Sequence, residues 1–136
     1  MDLEAFVLAI TKCGGLLETR GCANHGFFHS ILGAIFGSLV IALILWIFRG
    51  KLNKISLKLK FKQLFSIPVL FFSALIAWLI HIFFDSLSHP DVFIFWPLEY
   101  NPILIGPKAY WPSNLILLVF FIIAIVVIIK KRKSYA

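Results

Sequence analysis

The chain has 136 residues, of which 61% are hydrophobic and only 14% are charged, and its mean hydropathy is +0.98. Soluble domains carry roughly 25% charged residues, so this composition excludes an ordinary soluble domain and indicates an integral membrane protein. A chain of this length is expected to form one membrane domain. We predict an all-α integral membrane protein with three transmembrane helices and a short N-terminal helix that is interfacial or partly inserted.

The chain begins with a segment unlike a secretory signal, because residues 1–26 open with acidic side chains and contain only a short apolar stretch. Three apolar runs follow, and each approaches the ~20 residues that a membrane-spanning helix needs. The predicted segments after residue 26 are a first span at 27–48, a basic loop at 49–63, a second span at 64–88, an aromatic loop at 89–112, a third span at 113–130 and a basic tail at 131–136.

The positive charge is concentrated in two places. Ten of the 13 Lys and Arg residues lie in the stretches 49–62 and 130–133. Short segments rich in Lys and Arg favour the cytoplasmic side of a membrane, and three crossings place both stretches on the same side. We therefore expect a cytoplasmic basic loop and C-terminus, with residues 1–26 and the aromatic loop on the outer face.

All four histidines fall at the predicted outer end of the first two spans. His25 and His29 begin the first span, whereas His81, Asp85 and His89 end the second. A spacing of four residues keeps side chains on one slowly drifting stripe of a helix. Antiparallel pairing of the two spans therefore predicts that these stripes face each other at one membrane depth.

Small residues continue both stripes toward the membrane interior. Gly33 and Gly37 follow on the first span, and Ser73 and Ala77 precede His81 on the second. Small residues at this spacing let transmembrane helices approach closely, so we expect the two small stripes to pack together. Pro90 disfavours helical geometry at the residue before it, which predicts that the second span ends at position 89.

Ionisable residues in a membrane segment are costly and therefore indicate function. Imidazoles and a carboxylate at four-residue spacing match the ligands of zinc and related hydrolytic metals, in which an open position holds a water of lowered pKa. The pattern predicts a divalent-metal site, with zinc as the expected ion. Its predicted ligands are His25, His29, His81 and Asp85.

Two stretches carry a resemblance to a known family. NHGFFHSIL at 24–32 and HIFFDSLSHPDVFIFWPL at 81–98 resemble the signature blocks of the YdjM-like family, prokaryotic membrane proteins described as metal-dependent hydrolases. Gly26 and Phe28 stand where the family pattern has Arg and Thr. The resemblance implies the same four metal ligands, and it places Asp2 and Glu4 at the family's upstream acidic element.

The resemblance implies a hydrolase in the plasma membrane of a prokaryote. Its substrate would be an amphiphilic, lipid-like phosphoester or ester, attacked through a metal-bound water. Asp85, His89 and Glu4 are the candidate catalytic residues, and Asp2 is a further candidate ligand. Membrane lipids, a second copy of the chain or a larger membrane complex are the expected partners, whereas nucleic acid is not, because both basic stretches adjoin membrane spans.

Two other functions fit the same residues. His29 and His81 at one depth could ligate a haem iron from two sides, or the chain could be a non-catalytic subunit that docks into a larger membrane complex. Cys13 and Cys22 are nine positions apart and match no Cys-x-x-Cys metal motif. They fit either a disulfide or two small buried residues.

Overall fold

A computed structural model describes residues 25–59 and 65–134, in which all the regular elements are helices and none is a strand. Short 3-10 turns at Phe27–His29 and Pro107–Ala109 precede the first and last α-helices. The helix expected near the N-terminus lies outside the described residues. The α-helices are α1 (Ile31–Ile47), α2 (Arg49–Lys58), α3 (Ile67–Ser88) and α4 (Tyr110–Ser134).

Two stretches of helix are long and apolar enough to cross a membrane. They are α3, with a mean hydropathy of 2.3, and Pro107–Lys130, with a mean hydropathy of 2.9. Helix α1 has 17 residues, a rise of about 26 Å, and it bends by 73° into α2. The described part of the chain thus contains two candidate spans, or three when the bent pair counts as one.

The segment expected to be a basic loop is largely helical, since α2 occupies Arg49–Lys58. Lys, Leu and Arg are good helix formers, so local propensity supports a helix here even without a buried face. The guanidinium group of Arg49 lies 4.1 Å from the centre of the Trp46 ring, where a cation–π contact stabilises the bend. The bend turns the basic residues of α2 away from the axis of α1.

Helices α1 and α3 form the main helix pair of the described chain, and they run antiparallel. Ala34 of α1 and Ile82 of α3 are buried against Val92 from the following loop. Gly37 lies directly against the indole of Trp78, where a Cβ atom would have no room. Close packing of the small residues of α1 against α3 therefore agrees with the sequence prediction for that helix.

The prediction for the partner surface of α3 was wrong. Ser73 and Ala77 are exposed rather than packed against α1, and the partly buried side chains on α3 are Leu75, Trp78 and Leu79. The reason is the volume of the side chain opposite Gly37. The indole ring of Trp78 fills the groove there, which a second small side chain would leave partly empty. The surface of α3 that contacts α1 is thus rotated from the predicted stripe.

The loop after α3 is hydrogen-bonded to the end of that helix. Helix α3 ends at Ser88, as Pro90 predicted, and His89 adopts extended geometry with its backbone N–H donating to the Asp85 carbonyl at 2.8 Å. The Asn101 side chain donates to the carbonyls of Ser86 (2.7 Å) and His89 (3.0 Å). These bonds satisfy carbonyls that a helix end leaves without intrahelical partners, and they hold the loop beside the histidines.

Candidate metal centre

The histidines nearest the N-terminus project from a turn rather than from a helix. Ser30 is the N-cap of α1, and its Oγ accepts a hydrogen bond from the Gly33 N–H at 3.0 Å. The 3-10 turn before it is held by Trp78, whose Nε1 donates to the Phe28 carbonyl at 3.0 Å. Helix α1 therefore starts four residues later than the predicted first span. The turn places the His25 and His29 rings edge to face, with centroids 4.5 Å apart.

Asp85 lies between the histidines of the two helices. Its Oδ2 is 3.2 Å from Nε2 of His81, one helical turn away, and 3.8 Å from Nε2 of His29. The His29 side chain is only 3% exposed, whereas that of His81 is 47% exposed. The structure thus brings together the two blocks of predicted ligands, which lie about 50 residues apart in the sequence.

Asp91 joins this cluster, and the sequence analysis missed it. Its Oδ2 lies 2.9 Å from Nδ1 of His25 and 3.3 Å from the backbone N of the same residue. The His89 ring is 4.9 Å from the His25 ring. Helical periodicity could not identify Asp91 because it follows the end of α3, in the turn at positions 90 and 91. The sequence feature that could have identified Asp91 is its position two residues after His89, a predicted site residue.

Two overlapping groups have donor atoms close enough to hold an ion. Within each group, the imidazole nitrogens and carboxylate oxygens all lie within 4.8 Å of one another. One group is His25, His29 and Asp85, and the other is His25, His89 and Asp91. His81, which was also predicted to be a ligand, belongs to neither group. Asp2 and Glu4 lie outside the described residues.

A cleft of about 280 Å³ opens beside the cluster, between the end of α3 and the start of α4. Phe84 and Leu117 form its apolar part, and Tyr110 and Asn114 contribute polar groups. Ser88 also lines it, with an Oγ that is buried and has no hydrogen-bond partner among residues 25–59 and 65–130. Buried hydroxyl groups usually have a hydrogen-bond partner, so this one is an exception beside the cleft.

The geometry favours a metal ion over a haem. The rings of His29 and His81 have centroids 5.7 Å apart. However, the Asp85 carboxylate lies within 3.8 Å of a nitrogen on each ring, so the two imidazoles are accompanied by a third potential ligand that a bis-histidine haem does not use. A carboxylate between imidazoles is instead a common ligand arrangement for zinc.

Comparison with protein families matches residues 8–136 to the YdjM inner membrane protein family. Neither the curated proteins nor the solved structures that were compared include a match. The family match covers nearly the whole chain, and it agrees with the two long apolar helices, so the protein is a membrane protein. This chain therefore belongs to the YdjM inner membrane protein family.

Proposed function

We propose that this protein is a membrane-embedded, metal-dependent hydrolase that acts on an amphiphilic, lipid-like ester or phosphoester. The observation that carries the proposal is the convergence of His25, His29 and Asp85, whose donor atoms lie within 4.8 Å of one another, beside a cleft between two candidate spans. Three such donors with an adjacent opening correspond to the catalytic class of zinc site, in which one position remains open.

The distances between donors fit an ion held among them. Tetrahedral zinc with bonds of about 2.0–2.1 Å separates its ligand atoms by about 3.3 Å. The two nitrogen–oxygen distances at Asp85, 3.2 Å to His81 and 3.8 Å to His29, bracket that value. The longer one exceeds hydrogen-bond length, so a direct hydrogen bond does not account for the approach of His29 to Asp85.

The protein side chains supply distinct functions in this proposal. His25, His29 and Asp85 hold the ion, and His81 is close enough to Asp85 to orient its carboxylate or to replace a ligand. A divalent ion bound there supplies Lewis acidity and lowers the pKa of a water ligand toward neutrality. The buried position of His29 keeps bulk water away from one side of the centre.

The position of the cleft supports a lipid-like substrate. Its polar part contains the imidazoles and the carboxylate, whereas Phe84 and Leu117 line it between two candidate spans. A substrate with a polar group and a hydrocarbon chain would satisfy both parts, because an apolar chain gains free energy when it is removed from water. Two exposed aromatic residues nearby, Trp96 of the adjoining loop and Trp111 at the start of α4, suit the headgroup region.

We also propose that the site faces the outside of the cell. The histidine cluster lies at the start of α1, and the basic helix α2 follows the other end of α1. Helix α4 starts beside the cleft and carries its basic residues at its far end. Both basic segments therefore lie at the end opposite the site, and Lys and Arg favour the cytoplasmic side.

The proposal is tested by metal content and then by hydrolysis. Detergent-purified wild-type protein, supplied with zinc, is expected to retain at least one ion per chain by elemental analysis, and His29→Ala/His81→Ala is expected to lose it. Glu99→Gln, which neutralises an exposed acid of the adjoining loop, is the control and should retain the metal. Metal-free wild-type protein would contradict the proposal.

Hydrolysis is then measured with phosphoester and carboxylester lipids in mixed micelles. Asp85→Asn is expected to lower the rate by more than about 100-fold, because even the outer partners of metal ligands typically contribute 10–100-fold. A rate that is unchanged in Asp85→Asn would show that the activity comes from a contaminant or from a different site.

A further inference from the structure

Asp91 holds His25 at two points. Its Oδ2 lies 2.9 Å from Nδ1 of the His25 ring and 3.3 Å from the backbone N of the same residue. The first distance is typical of an N–H···O hydrogen bond, and the second adds a longer bond from the backbone to the same oxygen. Asp85 differs, because its Oδ2 approaches the rings of His81 at 3.2 Å and of His29 at 3.8 Å. Asp85 thus lies between two rings, whereas Asp91 binds both the ring and the backbone of one histidine.

The hydrogen bond to Asp91 determines which nitrogen of His25 can bind a metal ion. An ionised carboxylate only accepts hydrogen bonds, so Nδ1 of His25 must carry the proton that it donates to Oδ2. The other ring nitrogen, Nε2, then has the free electron pair that a metal ion needs. As long as Nδ1 donates its proton to Oδ2, these two atoms cannot both bind one ion.

The backbone around Asp91 is held firmly against the start of α1. The next residue, Val92, is fully buried and packs with Ala34 and Ile82. Two residues further on, the Ile94 carbonyl accepts a hydrogen bond from the Ile31 N–H at 3.0 Å. Packing and hydrogen bonds of this kind give a supporting side chain the fixed position that it needs to orient a ligand.

Little water reaches the contact between the two side chains. The side chain of His25 is 10% exposed and that of Asp91 is 22% exposed. A hydrogen bond is electrostatically stronger in such surroundings than in water. The contact is therefore suited to hold the imidazole in one orientation.

Building on the proposed function, we infer that Asp91 is a positioning residue of the metal centre. It orients the His25 ring so that Nε2 faces an ion shared with His29 and Asp85, which together with His25 form one of the two candidate groups. Asp91 belongs to the other candidate group, but it acts through His25 and does not bind the ion itself. A carboxylate that accepts the second ring N–H of a metal-binding histidine fixes the tautomer and raises the basicity of the imidazole.

Zinc affinity of the full chain in detergent tests this role, measured by competition with a chelator. Asp91→Asn keeps the shape and an acceptor oxygen but loses the negative charge, and it is expected to weaken zinc binding by about 10–100-fold. Asp91→Ala, which also removes the acceptor, should weaken it at least as much. Glu99→Gln makes the same chemical change at an exposed acid of the same loop, and it should keep the wild-type affinity.

Cobalt(II) distinguishes a positioning residue from a ligand, because its visible absorption bands depend on the atoms that bind it. At saturating Co²⁺, Asp91→Asn should give the same bands as the wild type, whereas Asp85→Asn should change them. Changed bands in Asp91→Asn would make Asp91 a ligand and overturn the inference.

The tautomer of His25 can be measured in the metal-free wild type, independently of any effect of Asp91 substitutions on folding. The measurement is ¹⁵N NMR of histidine-labelled protein at mildly basic pH, with the His25 signals assigned by their loss in His25→Gln. The proton is expected on Nδ1. A proton on Nε2 would overturn the inference.

The outcomes separate this inference from the proposed function. Wild-type zinc affinity in Asp91→Asn would overturn the positioning role while leaving the hydrolase proposal in place. Failure of the wild type to bind zinc would overturn both.

Discussion

The contact between Gly37 and Trp78 offers a quantitative test of how α1 and α3 are held together. A Cβ added at Gly37 would clash with the indole ring, and even the third-nearest ring atom would lie only 3.1 Å away. The ring is not free to swing aside, because its Nε1 donates to the Phe28 carbonyl at 3.0 Å. Gly37→Ala must therefore displace both the ring and the turn that carries His29.

The expected cost follows from these contacts. Overpacking a close contact costs about 1–3 kcal/mol, and loss of the indole hydrogen bond adds about 0.5–1.5 kcal/mol. The better helix propensity of Ala offsets about 0.5–1 kcal/mol. We expect Gly37→Ala to lower the free energy of unfolding by about 1–3 kcal/mol. Gly50→Ala is the matched control, since a Cβ there meets nothing within 4 Å, and its stability should be equal or slightly higher.

The assay is reversible unfolding in mixed micelles of increasing SDS fraction, followed by circular dichroism. A Trp78→Leu background identifies the cause, because removal of the ring should reduce the cost of Gly37→Ala by about 1 kcal/mol or more. Equal costs in the two backgrounds would refute the argument. So would Gly37→Ala and Gly50→Ala variants of the same stability.

Three further predictions concern the supports and the orientation of the site. Ser30→Ala should cost about 1 kcal/mol in the same unfolding assay, because Ala cannot accept the hydrogen bond from the Gly33 N–H; unchanged stability would contradict that role. Asn101→Ala should cost about 1–3 kcal/mol and speed hydrogen exchange in the 89–106 loop, because it leaves two carbonyls without their donor; unchanged exchange would contradict that role. In a background without the two native cysteines, a membrane-impermeant maleimide applied to intact cells should label Glu99→Cys but not Lys54→Cys, and the opposite pattern would place the site in the cytoplasm.

Local rules of sequence determined the helical class and several boundaries. Long apolar runs require helices in a membrane because backbone polar groups have no water there to bond, and residues 25–59 and 65–134 contain two or three such candidate spans. Pro90 fixed the end of α3 through its steric effect on His89. The four-residue spacing of His81 and Asp85 placed them in contact, since one helical turn separates them.

The tertiary structure decided what periodicity could not. Helix α1 begins at Ile31, so His25 and His29 lie in a turn whose geometry depends on Trp78, about 50 residues away in the sequence. Asp91 enters the cluster only because the loop after α3 folds back against the start of α1. A pattern within one helix cannot encode such contacts, because they depend on the rotation of two packed helices and on the path of the loop that follows α3.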